Sequence, residues 1–172
     1  EKADLKIHYE IMGQGAPILC ISGFGCSNYN FEFLREELAK EYTLVMIDNR
    51  GMGKSSSVIE EYLIDDLALD AIELMNSLGY KSFSVMGISM GGFIAQKVAL
   101  FAKKQVKVLI LACTTSGGDD FPKLGKLDEE TIRRSFTLDS RTYNLLVTKA
   151  TVHPNVEKNN PKLLEEIINL RV

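Results

Sequence analysis

The sequence predicts an α/β fold: a mostly parallel sheet with helices on both faces. Three observations carry this. From residue 5 to residue 112, short apolar runs of strand length alternate with amphipathic helical stretches, the order that builds a parallel sheet through right-handed crossovers. Residues 17–21 and 42–47 are almost continuously apolar, as strands buried on both faces are, and 106–112 is a further Val/Leu/Ile-rich strand run. Finally, Gly87-Ile88-Ser89-Met90-Gly91 falls between a strand pattern and a helix pattern, a glycine–serine–glycine spacing that matches a strand-to-helix elbow.

Taken in order, Leu5, Ile7, Tyr9 and Ile11 alternate with Lys6, His8 and Glu10, which predicts a strand with one wet face. His8 falls on that face and is expected to be solvated. Gly13-Gln14-Gly15 turns the chain into the buried strand 17–21. Residues 28–40 carry Phe31, Leu34 and Leu38 at helical spacing. The strand 42–47 ends in the polar loop Asp48-Asn49-Arg50-Gly51-Met52-Gly53-Lys54-Ser55. A helix is expected over about 60–78, stopped by Gly79. A strand at 82–86, a turn at 87–92, a helix at 93–101 and the strand 106–112 complete the alternation. Past Cys113 the character changes. Residues 127–172 are charged and favour helix, and Pro154 and Asn159-Asn160-Pro161 divide them into three short helices. The expected organisation is a core over 1–120 and a helical segment over 121–172.

Composition excludes several classes. Hydrophobic residues make up 45% and charged residues 25% of the 172, with a net charge of -3. No basic stripe points to nucleic acid, and no apolar run reaches the roughly 18–20 residues of a membrane span. Three cysteines, Cys20, Cys26 and Cys113, form no C-x-x-C pair, so neither a disulfide framework nor a zinc site is expected. A cytoplasmic setting fits best. Gly53-Lys54-Ser55 ends like a phosphate-binding loop, but Asp48 stands where that pattern needs glycine. Its carboxylate would repel phosphate.

Ser89 is the candidate nucleophile. At the tip of a sharp turn its side chain is pushed out above the sheet, while glycines two residues to either side let strand and helix approach closely. The helix N-terminus behind it offers unbonded N–H groups to a developing oxyanion.

Three segments in order resemble the α/β-hydrolase family: residues 18–24, the loop 48–55 as D-x-R-G-x-G-x-S, and 87–91 as the nucleophile elbow. The likeness covers most of residues 5–113 and is nearest to small, capped members such as esterases and 3-oxoadipate enol-lactonase-like enzymes. It implies an oxyanion hole formed by the backbone N–H groups of Met90 and Phe24. The family's His-Gly pair before the second donor reads Ser22-Gly23 here. It further implies structural roles for Asp48 and Arg50, and a helical cap, or lid, over 121–172.

The resemblance also sets an order: nucleophile, then acid, then histidine. The chain has two histidines, His8 and His153. His8 precedes Ser89. His153 lies in the cap segment and reads as part of a helix-ending turn. Asp119 and Asp120 stand at a position where a minority of members carry the acid. The expectation is that the chain stops inside the cap, with two strands, the acid and the histidine beyond Val172 or on a second chain. The resulting reading is a serine hydrolase cleaving a small ester, lactone or related acyl substrate through an acyl-enzyme on Ser89. No cofactor or metal is implied, and the 172 residues alone are expected to be inactive. Two alternatives stay open: a non-catalytic ligand-binding or signalling protein on this scaffold, and one part of a split or swapped hydrolase. The strand at 106–112 is expected to be an edge covered by another chain or by further residues.

Overall fold

The computed structural model describes residues 5–118, 130, 133–134 and 137–171. The chain divides into two compact units, Glu1–Phe121 and Pro122–Val172.

The first unit is a five-stranded sheet. Its strands are β1 (Tyr9–Met12), β2 (Ala16–Ile21), β3 (Tyr42–Ile47), β4 (Phe83–Ile88) and β5 (Val106–Ala112), in the order β1-β3-β2-β4-β5. The β1–β3 pair is antiparallel and the other pairs are parallel. The three helices are α1 (Glu32–Leu38, after a short 3-10 turn at Asn28–Phe31), α2 (Ile64–Ser77) and α3 (Met90–Phe101). Both faces of the sheet are covered. Leu19, Ile21, Val45, Ile47 and Val85 pack with Leu67, Ala71 and Met75 of α2 and with Ile94, Ala95 and Val98 of α3. Their alternating neighbours Ile18, Cys20, Leu44, Met46 and Met86 pack with Phe31 on the opposite face.

Strand registry sets the site. Ile21 pairs with both Ile47 and Gly87, and Ile88 pairs with Ala112. The loops after β2, β3, β4 and β5 therefore leave from one edge of the sheet. β2 lies between β3 and β4, so successive connections diverge there, which is where open α/β sheets form their crevice.

Several elements differ from the sequence expectation. β1 is regular only from Tyr9. Residues 6 and 8 bond instead to the loop after β3: Ser56 N–H donates to Lys6 O, Asp48 N–H to His8 O, and His8 N–H to Ser55 Oγ. His8 is not solvated as expected. Its Nδ1 lies 3.0 Å from Asp48 Oδ2, and its side chain is 26% exposed. The reason is long-range: the antiparallel β1–β3 register carries His8 to the end of β3, where a buried carboxylate requires partners. The helix expected from about 60 begins at Ile64, where the Asp66 carboxylate accepts the Leu63 N–H at 2.7 Å. It ends as expected at Gly79, with φ +81, where Tyr80 N–H donates to Met75 O and Gly79 N–H to Asn76 O.

β5 is an edge strand among the described residues, with Val108, Leu109, Ile110 and Leu111 between 37% and 51% exposed. The second unit contains α4 (Ser140–Thr151), α5 (Val156–Asn159) and α6 (Pro161–Leu170). Asp139 caps α4 by accepting the Thr142 N–H and hydroxyl, and these bonds hold its carboxyl below the usual range. Asn160 caps α6, with Pro161 at the first helical position. Leu164 and Ile168 of α6 are buried. Asp119 and Asp120 lie outside the described residues. Among the described residues, no helix is long and apolar enough to cross a membrane.

Candidate active site

The turn between β4 and α3 is a single residue. The expected turn over 87–92 contracts to Ser89, since β4 runs through Ile88 and α3 starts at Met90. Ser89 has φ 55 and ψ −119, a conformation that costs a non-glycine residue about 1–3 kcal/mol. Its neighbours hold it there: Ser89 N–H donates to Ala112 O and Gly92 N–H donates to Ser89 O, each at 2.9 Å. The side chain is exposed at the sheet edge.

The flanking glycines are required by contact. A Cβ on Gly87 would sit 2.1 Å from Gly91 O, and one on Gly91 would sit 2.2 Å from Ile21 O. The first contact lies within the elbow. The second presses the start of α3 against the end of β2, the strand leading into the loop 22–28. In that loop a Cβ on Gly23 would be 3.3 Å from Ser89 Cβ and 3.8 Å from Ser89 Oγ. The structure thus brings Gly23 against Ser89, with Phe24 following it and 77% exposed. Met90, the first residue of α3, lies in the helix turn whose amides have no intrahelical acceptor, and that turn carries no acidic side chain.

Ser22, standing where the resemblance expects an imidazole, braces the loop by a shorter route. Its buried hydroxyl donates to Ser27 O at 2.7 Å, and Cys26 N–H closes the turn onto Gly23 O at 3.3 Å. Asp48, 1% exposed, holds the far end of the loop. Its Oδ1 accepts the Asn28 N–H at 2.7 Å, and its Oδ2 accepts the Lys54 N–H at 3.0 Å beside His8. Arg50 binds Asp70 of α2 at 2.6 and 2.5 Å through two nitrogens. That bond, reinforced by the Asp70 charge, raises the guanidinium pKa above its ordinary value despite burial. Both residues bind protein groups.

His8 is engaged by Asp48, and His153 Nδ1 accepts the Asn155 N–H at 3.2 Å in the turn between α4 and α5. Sequence reasoning passed over Asn49. It is 1% exposed at the end of β3 and donates from Nδ2 to Ser22 O at 3.3 Å. The available signal was a lone amide beside Asp48 where a buried strand meets the crevice.

Comparison with known proteins agrees with this fold. The chain is 30% identical over 121 residues to a soluble epoxide hydrolase of Corynebacterium sp., covering 68% of this chain and 42% of that protein. It is 26% identical over 170 residues to 3-oxoadipate enol-lactonase 2 of Acinetobacter baylyi, covering 95% of this chain and 61% of that one. The solved structure of an esterase from Exiguobacterium antarcticum superposes with a TM-score of 0.77 at 27% identity, over 97% of this chain and 64% of that chain. The chain therefore spans between two fifths and two thirds of the length of these relatives. Residues 16–148 match the model of the alpha/beta hydrolase fold, and the chain belongs to that family.

Proposed function

We propose that this protein is a serine hydrolase that cleaves a small ester, lactone or related acyl substrate through an acyl-enzyme on Ser89. The observation that carries this reading is the strained, exposed Ser89 at the head of α3, with Gly23 packed against it. Ser89 Oγ attacks the acyl carbonyl, and its proton passes to a histidine. The oxyanion takes the N–H groups of Phe24 and Met90, and its collapse expels the leaving alkoxide, which receives the proton. Water then attacks the ester, with the same histidine as base, releasing the acid and Ser89. A hydroxyl needs such a base. His8 is held by Asp48 and His153 belongs to a helix-ending turn, so we assign the base to a histidine outside residues 1–172 and leave the acid to Asp119, Asp120 or a group outside the chain. Residues 121–172 belong, in this reading, to a cap, and further residues or another chain cover the β5 edge.

The names of the relatives span epoxide, enol-lactone and ester chemistry. Support for an acyl substrate is the serine at the elbow, which forms an ester that water can reverse.

The test is intact mass of the full natural chain before and after a fluorophosphonate probe. One adduct on Ser89, absent in Ser89→Ala, is expected. No adduct on a folded full chain would overturn the reading and favour a ligand-binding role on the same scaffold.

A further inference from the structure

Two consecutive residues at the end of β3 hold both ends of the loop 22–28. Asp48 takes the Asn28 N–H at its close, and Asn49 Nδ2 donates to Ser22 O at its start. The amide orientation of Asn49 is fixed by this bond, because the Ser22 carbonyl can only accept. On its other side the same carbonyl is packed against α3: a Cβ on Gly91 would lie 2.7 Å from Ser22 O.

We infer that Asn49 is a positioning residue that fixes the Ser22–Gly23 peptide, and with it the Phe24 N–H, against Ser89. The inference rests on the serine-hydrolase reading for its catalytic meaning. Gly23, having no Cβ, leaves the backbone beside Ser89 free to rotate. A side chain there would meet Ser89 Cβ at 3.3 Å, so stiffening the loop at that position would press on the nucleophile. A hold from outside the loop avoids that pressure. β3, flanked by β1 and β2, supplies a rigid anchor.

A second observation supports a positioning role. Asn49 Oδ1 is buried with no hydrogen-bond partner among the described residues. An unmet acceptor carries a desolvation cost that an apolar side chain at this site would avoid. Among the described residues, the one bond the amide makes is the one to Ser22 O.

The experiment compares Asn49→Leu and Asn49→Asp with the natural full chain. Leu removes donor and orphan acceptor together. Asp keeps the size but turns oxygen toward Ser22 O. Fluorophosphonate labelling of Ser89 is resolved into saturation and maximal rate, and 15N relaxation is measured at Gly23 and Phe24. Expected is a fall in maximal labelling rate on the order of 10–100-fold with unchanged saturation. Greater motion at Gly23 and Phe24, with β3 amides unchanged, is expected in both variants. If either variant folds with Gly23 and Phe24 as ordered as in the natural chain, or labels at the natural rate, the inference is overturned. If one variant does not fold, the other decides. If the natural chain itself fails to label, the hydrolase reading falls, and the relaxation data alone decide whether Asn49 holds the loop.

Discussion

Arg50 and Asp70 form a two-point ion pair that ties the loop after β3 to the middle of α2. Nε–Oδ2 is 2.6 Å and Nη2–Oδ1 is 2.5 Å, and the side chains are 18% and 10% exposed. The Arg50 guanidinium also lies 5.8 Å from the centre of the Tyr62 ring. Arg50→Leu leaves the Asp70 carboxylate shielded from water without its partner. A loss of about 3 kcal/mol is expected, near the low end for stranding one member of a buried pair. Asp70→Asn should cost less, because an amide oxygen still accepts one bond. Urea unfolding midpoints of the two variants check this order.

Asp48 should matter more to stability than the histidine beside it. Asp48→Ala strands the N–H groups of Asn28 and Lys54 as well as His8. His8→Ala removes one bond from a carboxylate that keeps two others. The expected losses are about 3 kcal/mol or more against about 1 kcal/mol, read from chemical denaturation. Equal losses would mean that Asp48 is not the hub of this loop.

The elbow trades stability for geometry. Ser89→Gly should be more stable than Ser89→Ala by about 1 kcal/mol, because glycine tolerates φ 55 while alanine retains the strain. Melting temperatures of the two variants, each devoid of Ser89 labelling, are the check.

Two glycine substitutions separate packing from backbone conformation. Gly91→Ala places a methyl 2.2 Å from Ile21 O and is expected to prevent folding or cost about 3 kcal/mol or more. Gly79→Ala meets nothing within 4 Å but must hold φ +81, for a cost of about 1–2 kcal/mol. Soluble yield and thermal midpoint distinguish the two.

The cysteines should react in a fixed order. Burial pushes the Cys20 thiol up to about 12, so at pH 8 its reactive thiolate form is scarce. Cys113 is exposed just after β5, whereas Cys20 and Cys26 are buried. Iodoacetamide at pH 8 should label Cys113 in the native protein and Cys20 only on unfolding, as peptide mapping would show. Native labelling of Cys20 would mean that β2 is not buried as the fold requires.

Local pattern alone determined the alternating architecture. Tyr42–Ile47 and Val106–Ala112 were legible to the residue because an apolar run bounded by polar groups marks a strand wherever it occurs, although β5 lies half-exposed at the edge of the sheet. The stop at Gly79 was equally local. The elbow at Ser89 was legible because Gly87 reflects a contact within the turn itself. Tertiary structure decided the rest. His8 bonds a carboxylate forty positions away, and only the antiparallel pairing of β1 with β3 brings them together. The 3-10 turn before α1 follows from tying Asn28 to Asp48, a bond that helical spacing does not encode. Asn49 carried only a faint signal in the sequence, since one amide in a polar loop has no periodicity. Its place beside Ser22 follows from parallel registry of β3 on β2. Periodicity reports which face of an element is buried, whereas a hydrogen bond between distant residues depends on strand order and register, which the chain acquires only when the sheet forms.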